Sequence, residues 1–136
     1  AEFMKTQKRK AHKEGYVMTL WGRKRRLAHH LNSRNYGDVS YGERVAINAT
    51  IQGSASDIMV SSQLRIHHDK RLEELGCRTL IQVHDELVME CPERNVKEAI
   101  DIIRYHMENM FGEKTSKLVI PFTCSIDFAD SYQGAK

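Results

Sequence analysis

His84, Asp85 and Glu86 stand in a row inside LIQVHDELVMEC, Leu80 to Cys91. Apolar, strand-forming runs flank them, so three ionisable groups fall where a tight hairpin would turn. A hairpin turn projects its side chains beyond the end of a sheet, where a carboxylate can meet a metal ion without being buried. Hard cations such as magnesium take oxygen ligands, and Asp is short and well fixed. Asp85 and Glu86 are adjacent, so on a strand-like backbone they point in different directions and cannot be assumed to share one ion. Taken alone, the three residues fit an ordinary polar turn better than a metal site.

The second chemical signal is a basic block. Ten of the 21 Lys and Arg fall between Lys5 and Arg34, where Glu14 is the only acid. Such a block suits phosphate contact, and it also suits a solvated surface. The whole chain of 136 residues carries a net charge of +3, too little for composition alone to identify a nucleic-acid binder. Its hydrophobic fraction of 40% supports a core of one domain or part of one. His67-His68-Asp69 reads as a solvated helix face, because consecutive helical residues fan out while helical metal ligands favour a spacing of four. His29 and His30 read as loop residues, and Met107 and Met110 as core. Cys77, Cys91 and Cys124 form no CxxC pair and are odd in number. They predict neither a disulfide framework nor a zinc site, and a reducing, intracellular setting. No apolar run has transmembrane length and no signal-peptide pattern is seen. Ala1–Phe3, before Met4, reads as a cloning scar.

Several elements must position these groups. Lys5–Glu14 reads as the end of a helix. GYVMTLWGRKRRL, Gly15 to Leu27, predicts a hairpin turning near Trp21-Gly22 with a basic second strand. HHLNSRNYGD, residues 29–38, predicts a loop. Ser40-x-x-Glu43 is a capping-box pattern, and Ser54-x-x-Asp57 offers a second cap after Gly53. The spacing therefore predicts two helices, about Ser40–Asn48 and Gly53–Glu74, with Ile58, Met59, Ser62 and Ile66 as the buried stripe of the second. Gly76 ends it. Arg78–Val83 and Leu87–Cys91 are the strands around the His-Asp-Glu turn. Val96, Ile100, Ile103, Met107 and Met110 predict an amphipathic helix that Gly112 stops. Leu118–Phe128 alternates perfectly, as a strand with one buried face. The order predicts an α+β fold with an antiparallel sheet.

The blocks GYVMTLWGRKRRL, ERVAINATIQGSASDIM and QVHDELVME occur in this order, and DSYQGAK closes the chain. Together they resemble the C-terminal part of the family A DNA polymerases, the bacterial polymerase I family. The resemblance covers 4–136 and departs at LAHH, where the family often continues Leu-Pro, and at Tyr132, where Trp is usual. It implies a partial polymerase domain, the palm with the end of the fingers, whose antiparallel sheet carries the His-Asp-Glu hairpin and is packed by helices.

Carried over by position, the resemblance implies that Asp85 is one of two aspartates holding the catalytic magnesium ions. Glu86 lies close by, and His84 sits near the primer terminus, although a packed turn histidine fits it too. Arg44, Asn48 and Gln52 match positions that contact the template–primer. Amides suit a minor-groove check on base pairs, and Arg44 suits a phosphate or a base edge. Without the resemblance, Asn48 and Gln52 read as helix caps. Arg23, Lys24, Arg25 and Arg26 follow Gly22 as the family's basic block does.

The implied activity is addition of deoxynucleotides to a primer 3′-end by two-metal phosphoryl transfer, with primer–template DNA and deoxynucleoside triphosphates as partners. The family's second aspartate and its nucleotide-gripping fingers helix have no counterpart in these residues. The isolated chain is therefore expected to be inactive, and to self-associate through a sheet edge. A non-catalytic nucleic-acid-binding module and a single-subunit RNA polymerase relative are the competing readings; the ERVAINATIQG block favours the DNA enzyme over the latter. GSASDIM and ADSYQGAK resemble organellar replication polymerases of plants and protists, of plastid or apicoplast type.

Overall fold

A computed structural model of the chain describes residues 2–112 and 120–134. The chain divides into two compact units, Ala1–Asp57 and Ile58–Lys136.

In the first unit, helix α1 (Glu2–Glu14) leads into strands β1 (Tyr16–Met18) and β2 (Lys24–Arg26). Gly15 makes the corner with φ 75°, and its carbonyl accepts from Leu27 and Ala28 at 2.7 and 2.9 Å. A left-handed backbone of this kind is open to glycine at no steric cost. The strands pair antiparallel, Val17 opposite Arg25, as predicted. Residues 29–38 depart from the predicted loop. Ala28–Leu31 forms a short helix, α2, and α3 (Tyr36–His67) already begins before Ser40. Burial of Leu31 explains the first departure, since it belongs to a core with Ala11, Val17, Leu27 and Ala46. Asn35 explains the second. Its side-chain oxygen accepts from the Gly37 N–H at 2.8 Å, capping α3 upstream of the predicted cap.

α3 is also unbroken at Gly53, against the expectation of two helices. A Cβ at Gly53 would lie 2.8 Å from Thr19 Cγ2, so the glycine serves close approach to the β1–β2 loop rather than a helix stop. Ser54 is not a cap. Its hydroxyl donates to the Thr50 carbonyl at 2.6 Å and accepts from the Leu20 N–H at 2.9 Å.

In the second unit, α3 buries Met59, Ser62 and Ile66, with Ile58 half-buried, as the stripe predicts. α3 stops at His67, and a separate helix, α4, covers Lys70–Glu74. Asp69 caps α4 by accepting from the Arg71 N–H at 3.0 Å. The Asp69 carboxylate also meets the His106 Nε2 at 2.6 Å and is only 10% exposed, so it is not the solvated face expected of it. Gly76, at φ 73°, ends α4. The Cys77 N–H donates to the Leu72 carbonyl at 2.8 Å and the Gly76 N–H to that of Glu73 at 2.9 Å, a Schellman closure.

Strands β3 (Arg78–Val83) and β4 (Glu86–Glu90) follow as predicted, then a 3-10 turn (Glu93–Asn95) and α5 (Val96–Glu108). Ile66, Leu72, Ala99 and Ile102 form the core, with Leu87, Met89, Ile103 and Met107 packed against it. The buried centre of α5 is Ala99, Ile102 and His106, one step around from the predicted stripe. Val96, Ile100, Ile103 and Met107 flank it half-buried. His106 faces inward because Asp69 supplies its partner.

Among the described residues the last predicted strand does not form. Leu118 and Val119 lie outside the described residues, and 120–128 pairs with no strand among them. Its alternation survives only in the middle, with Phe122, Cys124 and Ile126 half-buried between exposed neighbours, while Ile120 and Phe128, expected on the same buried face, are exposed. Side chains of α5 serve its backbone instead. Glu108 accepts from the Cys124 N–H at 3.1 Å, and Arg104 donates to the Cys124 carbonyl at 3.0 Å. The described strands thus form two separate two-stranded antiparallel sheets. The expected α+β class stands, with helices packing small sheets.

Candidate functional site

Val83 pairs with Glu86, so His84 and Asp85 alone make the turn between β3 and β4. The favoured two-residue turns have a positive φ at their first residue, a place usually taken by glycine, asparagine or aspartate. Here His84 takes it, at φ 52°, the one positive φ of a non-glycine residue among those described. Asp85 follows, exposed, and no group among the described residues hydrogen-bonds its carboxylate. Glu86 is exposed at the first position of β4.

The turn is braced from behind. The Gln82 amide donates to the His84 carbonyl at 3.1 Å, and its oxygen accepts from Gln63 on α3 at 2.8 Å. Farther along, Arg78 and Glu90 pair across the strands at 3.0 Å. β4 turns Leu87 and Met89 onto the core, whereas β3 is exposed along its whole length. Gln63 and Gln82 were not singled out from sequence. The place of Gln82, two residues before the turn, was the available signal; Gln63 carried none, because only the fold brings it there.

In the first unit, Arg44, Asn48 and Gln52 recur at a spacing of four on α3, and all three are exposed. Side chains at this spacing lie one above another on a single helix face. None caps a helix end, since α3 runs on beyond them, and none is hydrogen-bonded within the described residues. The helix presents an amide–amide–guanidinium row with its donors and acceptors unshared.

The basic hairpin divides its labour. Arg23 donates to Asp57 at 2.7 Å and to the Gly53 carbonyl at 2.9 Å, fastening the loop to α3. Lys24 lies 4.5 Å from the centre of the Tyr16 ring, a cation–π contact. Arg25 and Arg26 are exposed. Lys8 and His12 on α1 meet Glu43 at 2.7 and 3.0 Å. The Lys8 ammonium first, then His12, holds the Glu43 carboxyl below its ordinary range. Part of the basic block is thus matched internally.

A hard divalent cation fits Asp85 as one ligand, an exposed carboxylate on a braced turn. Among the described residues, no group of three His, Cys, Asp or Glu is placed to hold a metal ion. No helix of the described residues is long and apolar enough to cross a membrane.

Comparison with known proteins identifies the family. The profile of the family described as DNA polymerase family A matches residues 1–134. The mitochondrial DNA polymerase I B of Oryza sativa subsp. japonica is 37% identical over 134 residues, covering 98% of this chain and 13% of that protein. The thermostable DNA polymerase I of Thermus thermophilus is 36% identical over 124 residues, covering 91% of this chain and 14% of that protein. The POL domain of Pol1 from M. smegmatis, solved in complex with DNA primer-template and dNTP, superposes with a TM-score of 0.86 at 33% identity. The match covers 98% of this chain and 23% of that one. The chain spans only about an eighth of the length of these curated relatives. With the family profile matched over residues 1–134 and these relatives matched over nearly the whole chain, the chain belongs to DNA polymerase family A.

Proposed function

We propose that residues 4–136 are the C-terminal part of a polymerase domain, the palm with the end of the fingers. The parent protein is a DNA-directed DNA polymerase that extends a primer 3′-end with deoxynucleotides. The observation that carries this reading is Asp85, with an unshared carboxylate on a two-residue turn that Gln82 braces. Asp85 would hold a magnesium ion together with ligands from elsewhere in the parent. When bound, the metal neutralises charge on the attacking and leaving oxygens.

The chain's own residues bind and orient. Glu86 adds negative charge beside Asp85, and His84 borders the primer terminus. Arg44, Asn48 and Gln52 read the primer–template duplex from one helix face. Amide groups suit this task, because the minor groove offers acceptors at similar places in every correct base pair. Lys24 and Arg25 contact phosphate, while Arg23 holds their loop against α3. The M. smegmatis relative, solved with primer-template and dNTP at 33% identity, supports both partners. The chloroplastic and mitochondrial relatives support an organellar setting.

The test is Asp85→Asn in the complete polymerase. Extension of a labelled primer is expected to fall by about a thousandfold or more, with primer–template affinity retained. Undiminished extension would overturn the reading and leave a non-catalytic nucleic-acid-binding module.

A further inference from the structure

Cys77 and Cys91 stand at the open end of the hairpin whose turn carries Asp85. Arg78 pairs with Glu90, and continuing that register by one residue sets Cys77 opposite Cys91. Both cysteines pack against the core of the second unit. Both thiols are free and half-buried, and both line one surface groove with Leu72, Glu73 and Pro92.

The backbone on each side is held. The Cys77 N–H is fixed to the Leu72 carbonyl at 2.8 Å. A Cβ on Gly76 would lie 3.2 Å from Pro92 Cγ, so the residues bordering the pair are themselves packed together. Asn95 ties the two ends, its N–H donating to the Pro92 carbonyl at 2.8 Å and its amide to the Leu75 carbonyl at 2.8 Å. Disulfides require Cα atoms roughly 4.4–6.8 Å apart, and facing residues of an antiparallel pair sit about 4.5–5.5 Å apart.

We propose that Cys77 and Cys91 are a dithiol–disulfide site, closed by exchange with a small disulfide such as glutathione disulfide and reopened by reduced glutathione. One cysteine sulfur attacks a sulfur of glutathione disulfide, forming a mixed disulfide and releasing one glutathione. The facing cysteine then attacks the protein-bound sulfur, breaking the mixed bond and releasing the second glutathione. The cysteines lose two electrons, glutathione disulfide gains them, and the two thiol protons end on the two glutathione molecules. Burial, and then the Cys91 sulfur beside it, pushes the Cys77 thiol up to about 12. The closed bond joins both strands at the base of the hairpin and leaves its turn open.

The experiment uses the chain with Cys124→Ser, equilibrated over a range of reduced-to-oxidised glutathione ratios and quenched with N-ethylmaleimide. Mass spectrometry is expected to pass from two labelled thiols to none, with one cross-linked peptide containing Cys77 and Cys91. Oxidation is expected to slow amide exchange in β3 and β4 by about tenfold or more. Cys91→Ser is expected to abolish the cross-link. Stable mixed disulfides on both cysteines, covalent dimers, or two labelled thiols at every ratio would each overturn the proposal. Circular dichroism of each variant separates a lost cross-link from a lost fold.

Discussion

His84 holds a backbone conformation that costs an L-residue roughly 1–2 kcal/mol and that glycine adopts freely. His84→Gly is therefore expected to leave the hairpin folded and to stabilise it by up to about 1 kcal/mol. If His84 borders the primer terminus, the same change lowers primer extension in the complete polymerase. Paired urea-melt and extension assays check the two effects, and loss of both stability and activity would assign His84 to folding alone. Asp69 carries a different load. It caps α4 and meets both Arg71 and His106. Asp69→Ala is expected to cost about 2–4 kcal/mol, combining a lost cap with a buried imidazole left unpaired. The Arg71 guanidinium first, and then His106, holds the Asp69 carboxyl far below its ordinary 3.8, against the opposing effect of burial. A folded value below the unfolded one makes this contribution fully present above about pH 4 and lost as pH falls below that. An acid titration of the urea midpoint should show the wild type losing stability there and Asp69→Ala losing less.

At the scale of elements, α3 shows local propensity giving way to packing. Gly53 costs about 1 kcal/mol relative to alanine in a helix interior. Restoring the Cβ would nevertheless place it 2.8 Å from Thr19 Cγ2. Thr19 cannot turn away freely, because its hydroxyl accepts from the Arg23 N–H at 3.2 Å. Gly53→Ala is thus expected to destabilise by about 1–3 kcal/mol despite the better helix former. A thermal melt checks the sign, and a stabilised variant would mean that the loop yields. The same contact explains the misplaced break. From sequence, a glycine between two apparent caps looks like a helix end, yet Ser54 turns its hydroxyl to Thr50 and Leu20. Asp57 likewise answers Arg23 rather than a helix terminus.

At the scale of the whole molecule, the two described sheets have two strands each, and such a sheet is marginal unless it is packed. β4 is packed through Leu87 and Met89, but β3 exposes Leu80 and Ile81 by more than half. An exposed apolar strand with unpaired backbone groups templates pairing. The isolated chain is expected to associate as its concentration rises, and sedimentation showing a monomer throughout would count against this. It is also expected not to extend a primer, since Asp85 alone does not complete a two-metal site. Extension by the folded chain that Asp85→Asn abolishes would show that it finds the remaining ligands internally.

Both hairpins were legible in the residues, because short alternating runs around turn signals have few alternatives. Arg44, Asn48 and Gln52 were grouped only through the family resemblance, because the predicted break after Asn48 left Gln52 outside either helix; the unbroken α3 is what puts them on one face. The stripe of Met59, Ser62 and Ile66 was readable from its spacing. Tertiary structure alone decided the rest. Whether Gly53 breaks a helix depends on Thr19, 34 residues away in sequence. Whether His106 is buried depends on Asp69, and whether 120–128 becomes a strand depends on a neighbour to pair with. Periodicity and caps are properties of one segment and can be read from it. Close approach, ion pairing and strand pairing need a second segment, whose position no local pattern encodes.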